Sequence, residues 1–330
     1  MSVNGTERTA GLEKKPIQQF KVLSRYYGEP LYPGEHQFIS ELIQQFDRLN
    51  FADLVRFVDS NQEKLILPWE LRRIWRLKKL SPEGKEEHYA NYARQRMEAG
   101  RGDVRELRLV LDHIGFTDYP KPLRLLDLGT GRGSFLAMAQ AEPLFSAWHF
   151  KGVDMDMASL LLNLKFNEDL GNRNFDLTCC YGETLPYDDK SFDIVASFQT
   201  LEHVGNLSRQ VAFIREACRC LAPDGIAMFT FPNRFDVLRP EPHVYIRGFG
   251  FVPQKWKNRI SQTLRGVPSG DVFPPNPITL MRGLKKIAGV SFEISSSSEL
   301  SNKGLKRLIA GSFLYRMFGP WNVLIARKAV

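Results

Sequence analysis

The stretch LRLLDLGTGRGSFLA, Leu123 to Ala137, sets three glycines two residues apart directly behind an apolar run. Leu123, Leu125, Leu126 and Leu128 have the apolarity of a buried strand. Phe135, Leu136 and Ala139 fall on one face of a helix, so the glycines occupy a strand-to-helix turn. In a doubly wound α/β sheet such a turn is where a ligand binds. Spacing narrows the choice of ligand. The dinucleotide fingerprint is Gly-x-Gly-x-x-Gly, whose third glycine lets helix and strand pack closely. Here Gly129, Gly131 and Gly133 are spaced Gly-x-Gly-x-Gly, and Ser134 stands where that pattern needs glycine. No Gly-Lys-Ser or Gly-Lys-Thr follows, so the turn is not a phosphate-cradling P-loop either.

The chain beyond the turn alternates strand and helix. HFKGVD (149–154) reads as a strand, the region of Ser159 to Asn167 as a helix, and FDLTCCYG (175–182) as a strand. SFDIVASF (191–198) is a strand again, followed by a helix through Val211 to Cys220, a Pro223-Asp224-Gly225 turn and the strand IAMFTF (226–231). This rhythm predicts a mostly parallel sheet with right-handed crossovers. VSFEIS (290–295) and WNVLIARK (321–328), with a basic helical stretch between them, would close the sheet as a hairpin-like pair.

Asp127-Leu-Gly-Thr-Gly-Arg-Gly133 resembles the nucleoside-binding loop of class I S-adenosylmethionine-dependent methyltransferases, and other motifs follow in the family's order. The resemblance covers roughly Leu111 to Val330 and is most specific from Leu123 to Asn233. It implies an α/β, Rossmann-like doubly wound sheet of seven strands, with S-adenosyl-L-methionine as cofactor and no metal. Asp127, Gly129, Thr130, Gly131 and Gly133 are the implied loop contacts. Asp154 matches the acid that binds the ribose hydroxyls; two acceptor oxygens facing a vicinal diol explain the residue type. Met155 matches the apolar residue that packs on the adenine, and Glu183 and Thr184 match positions at its edge. QTLEHV (199–204) falls where the family lines the methionine end of the cofactor, which gives Gln199 a binding role.

Methyl transfer from a sulfonium is an in-line displacement, so the protein contributes mostly proximity and orientation. A hydroxyl acceptor also needs a base. His203, in the Glu-His pair after the fourth strand, is one candidate. His243, flanked by Glu241, Tyr245 and Arg247 in the Pro- and Gly-rich run PNRFDVLRPEPHVYIRGFGFVP (232–253), is the other. That run follows the fifth strand and opens an expected acceptor-site insertion at 234–278. It resembles segments of methyltransferases acting on ubiquinone-precursor-like, lipid-linked or glycan-related small molecules. The expected reaction is therefore O-methylation of a small or lipid-linked acceptor. The alternatives are an RNA methyltransferase and a catalytically silent methyltransferase-like binding subunit.

Composition fits this frame. The 330 residues allow one large core with an accessory region, and 43% apolar with 25% charged residues is ordinary for a soluble protein. Residues 1–18 are polar with no apolar h-region, so a disordered start and a cytoplasmic protein are expected. Four cysteines, Cys179-Cys180 and Cys218-x-Cys220, lack zinc-site spacing and read as buried thiols. Residues 19–110 are expected to be a helical extension or lid before a domain at 111–330. Within it LPWELRRIWRLKKL (67–80) is a basic helix with an apolar stripe, and EEHYANYARQRME (86–98) offers Tyr89 and Tyr92 over the cofactor.

Charge is distributed unevenly. Residues 111–233 carry 10 Lys+Arg against 16 Asp+Glu, which suits a cationic sulfonium better than a polyphosphate, whereas residues 234–330 carry 16 against 5. NKGLKRLIAGSFLYRMF (302–318) mixes cations and large apolar residues as an interfacial amphipathic helix does, so peripheral membrane contact is one reading and the inner face of the last helix the other. Nucleic acid is the disfavoured partner. The sequence shows no RNA-binding module, no Asn-Pro-Pro-Tyr and no Pro-Cys at a strand end.

Overall fold

Strand β2 (Arg124–Leu128) lies inside an eight-stranded sheet ordered β1-β4-β3-β2-β5-β6-β8-β7. The computed structural model describes residues 21–22, 34–61, 77–116, 122–236, 238–240, 246–265, 272–302, 304–319 and 321–329. The other strands are β1 (Lys21–Val22), β3 (His149–Asp154), β4 (Phe175–Cys179), β5 (Phe192–Phe198), β6 (Leu221–Pro232), β7 (Val290–Ser296) and β8 (Trp321–Lys328). Strands β1 to β6 pair in parallel, and β8 runs antiparallel between β6 and β7. The seven expected strands are therefore present, and two residues of the N-terminal extension add an eighth at the β4 edge.

A parallel sheet must be covered on both faces, and the strand sequences divide accordingly. Leu125 and Ile194 pack into one core, Leu126, Leu128 and Val195 into the other. The first core is closed by α1 (Glu35–Phe46), α2 (Phe51–Ser60), α3 (Pro82–His113), α4 (Ser134–Ala141) and α5 (Met157–Asp169). The second is closed by α6 (Leu207–Cys220) and α8 (Pro277–Leu284). From β2 the chain winds to β3 and β4 on one side, then crosses to β5 and β6 on the other. The crevice of the fold thus opens at the C-terminal ends of β2 and β5.

Helix α3 sets what lies over that crevice. Ser81 caps it by accepting from the Gly84 N–H at 3.1 Å, Pro82 occupies the first turn, and the helix runs across residue 110 to His113. Gly100 makes it dock: a Cβ there would lie 2.0 Å from the Ser134 carbonyl oxygen, so only glycine lets α3 cross the first turn of α4 at this separation.

Three expectations need correction. The Pro223-Asp224-Gly225 turn is a bulge inside β6, with Asp224 at φ +60° and the β5 register shifting between Phe192 and Ile194. The expected loop insertion carries a helix, α7 (Gln254–Arg265), and its last two residues, 277 and 278, already belong to α8, capped by Asn276. The expected helix over 302–318 is two, α10 (Gly304–Ala310) and α11 (Phe313–Phe318), preceded by the short α9 (Ser297–Ser301). Gly311-Ser312 breaks the run, since Ser312 caps α11 by accepting from the Tyr315 N–H. The inner-face reading of that segment also fails for its largest side chains: Leu308, Ile309, Phe313 and Leu314 are exposed. The basic stretch 67–80 lies outside the described residues as far as Arg76.

Candidate functional site

The turn after β2 is held open by its own backbone. Gly129, Gly131 and Gly133 all have positive φ (84°, 51° and 81°). The N–H groups of Gly129 and Thr130 both donate to the Val153 carbonyl, at 2.8 and 2.9 Å, which fixes the turn against β3. Asp127 is buried, and Thr130 Oγ1 donates to it at 2.6 Å. Asp154, at the end of β3, accepts from the Gly131 N–H at 2.8 Å and from the Asp156 N–H at 2.9 Å, each on a different carboxylate oxygen. A carboxylate pair offers about four accepting sites, so Asp154 retains capacity toward a vicinal diol. Met155 follows, half-buried. Thus Asp127, Gly129, Thr130, Gly131, Gly133, Asp154 and Met155 come together at the ends of β2 and β3.

The remaining expected contacts are more scattered. Glu183 lies in the turn after β4, where Arg209 holds it in an ion pair at 2.6 Å, and Thr184 beside it is exposed. Gln199 follows β5 with φ +50°, a conformation few non-glycine residues adopt. Its N–H donates to the Thr230 carbonyl at 3.0 Å, while its side chain is exposed at the crevice. His203 ends the short turn Leu201–His203 and is half-buried. His243, with Glu241 and Tyr245, lies outside the described residues.

Over the crevice lies a cavity of about 560 Å³, between α3, the ends of β5 and β6, and α9. Ser134, Gln199, Thr230 and Trp321 line its sheet side; Arg96, Asp103 and Glu106 line it from α3; Ser297, Ser298 and Ser301 line it from α9. His203 is not among these residues. Tyr89 and Tyr92 do not reach it. Tyr89 donates to Asp59 at 3.3 Å, and Tyr92 accepts from Arg132 of the glycine turn at 2.9 Å, so both fasten α3 to α2 and to the turn.

The polar groups in this cavity are incompletely used by the protein. Among the described residues Arg96 Nε and Ser134 Oγ are buried without a hydrogen-bond partner, and the Asp103 carboxyl lines the same space. Buried polar atoms without partners are costly, and a ligand is one way they are satisfied. A guanidinium, a carboxyl and a hydroxyl around one space fit an α-amino-acid zwitterion. Glu106 accepts a short hydrogen bond from Ser297 Oγ. Among the described residues no cluster of His, Cys, Asp or Glu is placed to hold a metal ion.

The site's carboxyls titrate abnormally. Burial, with the Asp127 and Glu106 charges, pushes Asp103 up to about 8. Burial pushes Asp127 up to about 7 against the opposing Thr130 hydrogen bond, and burial with the Asp156 charge pushes Asp154 up to about 6. Glu106 is raised mainly by burial. An acid whose folded pKa exceeds its unfolded value stabilises the fold fully below the unfolded pKa and loses that contribution as pH rises through the folded one. The ligand-free protein is thus expected to lose stability from about pH 4 to 8. Urea denaturation across that range checks this: Asp103→Asn should match the parent at pH 4 and exceed it at pH 9. A variant whose pH dependence parallels the parent's would show that Asp103 titrates normally.

Comparison with known proteins gives the following. Residues 126–229 match the family model described as a methyltransferase domain. No curated protein matches the chain. Among solved structures, the chain is similar to phosphoethanolamine N-methyltransferase 2 of Haemonchus contortus in complex with S-adenosyl-L-methionine, at 17% identity and a TM-score of 0.47 over 86% of this chain and 60% of that one. An S-adenosylmethionine-dependent methyltransferase from Mesorhizobium loti matches at 18% identity and a TM-score of 0.43, over 65% and 94% of the two chains. The [4+2]-cyclase SpnF matches at 19% identity and a TM-score of 0.43, over 64% and 76%. These likenesses are too remote to carry a substrate or a reaction over.

Proposed function

We propose that residues 126–229, which match a methyltransferase-domain model, form the centre of a class I, S-adenosylmethionine-dependent methyltransferase domain, and that the chain methylates a hydroxyl group of a small or lipid-linked acceptor. The observation that carries the reading is the cavity beside the glycine turn, in which Arg96 Nε and Ser134 Oγ are left without partners beside the Asp103 carboxyl. S-adenosylmethionine, when bound, supplies an electrophilic methyl group on a sulfonium. Everything else falls to the chain's own residues.

Asp154 would take the ribose hydroxyls with its remaining accepting capacity, Met155 the adenine face, and Thr184 with Glu183 the adenine edge. Arg96 would bind the carboxylate of the methionine end, with Asp103 toward its ammonium group and Gln199 closing the same end. The part of the cavity lined by Glu106, Ser297, Ser298 and Ser301 would take the acceptor. Its hydroxyl-rich lining suits a hydroxylated molecule, and Glu106 is the carboxyl there that could receive the acceptor's proton. These groups fix the acceptor oxygen in line with the methyl group, which is where most of the rate of such a displacement originates.

Calorimetry with S-adenosylhomocysteine tests the assignment without needing the acceptor. Arg96→Met and Asp103→Asn should each weaken binding by about 1.5–3 kcal/mol, the range for a hydrogen bond to a charged group, and thus by about 10- to 150-fold. Unchanged affinity in both would remove the zwitterion clamp. Binding of a nicotinamide dinucleotide in place of S-adenosylhomocysteine would remove the premise.

A further inference from the structure

Two elements far apart in the chain carry the same unusual surface. On α10 and α11 Leu308 and Phe313 are 74% and 71% exposed, with Ile309 and Leu314 beside them in sequence. On α7 and the turn before it Leu264, Phe251 and Trp256 are also exposed. Residues 254–265 and 302–318 each contain four Lys or Arg and no Asp or Glu. Large apolar side chains interleaved with cations, in the absence of acids, are the composition of a segment lying in a lipid headgroup layer. Lys255 and Arg259 both stack over the Trp256 ring, 5.9 Å from its centre, which keeps charge and aromatic surface at one level.

The fold brings both elements to one place. Asn233 and Arg234 are adjacent at the end of β6. Asn233 Nδ2 donates to the carbonyls of Arg316 and Gly319, at 3.1 and 3.0 Å, and so holds α11. Arg234 Nε donates to the Gly250 carbonyl at 3.1 Å, and Phe235 packs on Phe251 with ring centres 5.2 Å apart, which holds the segment leading into α7. Trp321, which follows α11, lines the large cavity and also a smaller one of about 140 Å³ bounded by Asn233, Arg234 and Phe249. Both apolar, cationic elements therefore flank the end of the sheet at which the cavities lie.

We propose that α7 and α10–α11 form a single docking face for a membrane leaflet containing anionic lipids. The cations that face outward, Lys255, Arg259 and Lys306, select an anionic partner, Lys257 being buried and Arg316 paired with Glu299 of α9, and apolar tips carried on short separate helices suit a deformable headgroup layer. Monomeric proteins rarely leave large apolar groups together in water. The inference goes beyond the methyl-transfer reading and stands apart from it: losing the face should leave cofactor binding intact.

Co-sedimentation of the full chain with extruded vesicles tests it. Binding to phosphatidylcholine vesicles containing phosphatidylserine should exceed binding to pure phosphatidylcholine by about tenfold or more, and should weaken as salt rises from roughly 0.1 to 1 M. Phe313→Asp/Leu314→Asp should remove binding, with S-adenosylhomocysteine affinity unchanged as the check on folding. Lys255→Glu/Arg259→Glu, on the other element, should weaken it about tenfold, and vesicle binding should shift the emission of Trp256 to the blue, a shift missing in Trp256→Phe. The proposal is overturned if the parent ignores anionic vesicles or if neither double variant changes binding. It is also overturned if the parent is a dimer that Phe313→Asp/Leu314→Asp converts to a monomer, because a second copy then covers the face.

Discussion

Gly131→Val is expected to give a folded protein that binds S-adenosylhomocysteine at least about a hundredfold more weakly than the parent, a loss of about 2.7 kcal/mol or more. A Cβ at Gly131 meets nothing within 4 Å, so no protein contact resists the new side chain. It would instead fill the open side of the turn, beside the Asp154 carboxylate that accepts the Gly131 N–H. Its backbone cost is that of an L-residue at φ +51°, about 1–2 kcal/mol. Gly133 is the contrast. A Cβ there would lie 2.2 Å from Asn163 Oδ1 and 3.0 Å from Asn167 Nδ2, inside the amide network that ties the turn to α5. Gly133→Ala should therefore lower the melting temperature, whereas Gly131→Val should chiefly remove binding. Calorimetry and thermal melting on the same two preparations separate these effects, and parental affinity in Gly131→Val would show that no ligand approaches the turn.

The difference between these two glycines could not be read from their spacing, although the turn itself could. Continuous apolar runs marked β2, β3 and β5 because strands covered on both faces leave no polar register to blur them. Asp154 was legible because it ends such a run. The cavity was not, because its residues are polar positions of a long polar helix and look like solvent contacts. One signal was nevertheless present. Tyr89, Tyr92, Arg96, Gly100, Asp103 and Leu107 recur at spacings of three and four, so Arg96 and Asp103 sit in the stripe that α3 buries. Glycine at the centre of that stripe costs about 1 kcal/mol in helix propensity relative to alanine and is explained by close packing, here against Ser134. A charged pair on either side of a packed glycine marks a face that meets something polar.

The two tyrosines show the complementary error. Their place before the glycine turn in the sequence suggests ligand contacts, yet the groups that satisfy them belong to the protein: Asp59 for Tyr89 and Arg132 for Tyr92. The extension thus does not merely cover the turn. It grips the side chain of Arg132, the fourth residue of Gly-Thr-Gly-Arg-Gly counted from Gly129, and so helps fix the loop whose backbone holds Asp154.

Glu106→Gln is expected to lower methyl transfer to a hydroxyl acceptor by about 10²- to 10⁴-fold, the usual contribution of a general base, while S-adenosylhomocysteine affinity stays near the parent's and the melting temperature does not fall. The amide keeps the shape of the carboxyl and can still accept from Ser297, so only proton-accepting capacity is lost. Burial raises the Glu106 pKa and makes it a stronger base than an exposed carboxylate, whereas the Ser297 hydrogen bond opposes that rise. Two consequences follow in pH dependence. A base works deprotonated, so the rate should increase with pH through a midpoint above the ordinary carboxylate range. Ser297→Ala, by removing the opposing hydrogen bond, should move that midpoint further upward, a shift that a merely structural serine would not produce. NMR titration of the Glu106 carboxyl reports the same pKa without any acceptor, and turnover follows once a screen of small hydroxylated compounds supplies one. His203→Ala, which alters a residue outside the cavity lining, should leave the midpoint in place. Full turnover in Glu106→Gln, with the midpoint unmoved in Ser297→Ala, would mean that the proton leaves by another group and that this end of the cavity only shapes the acceptor's fit.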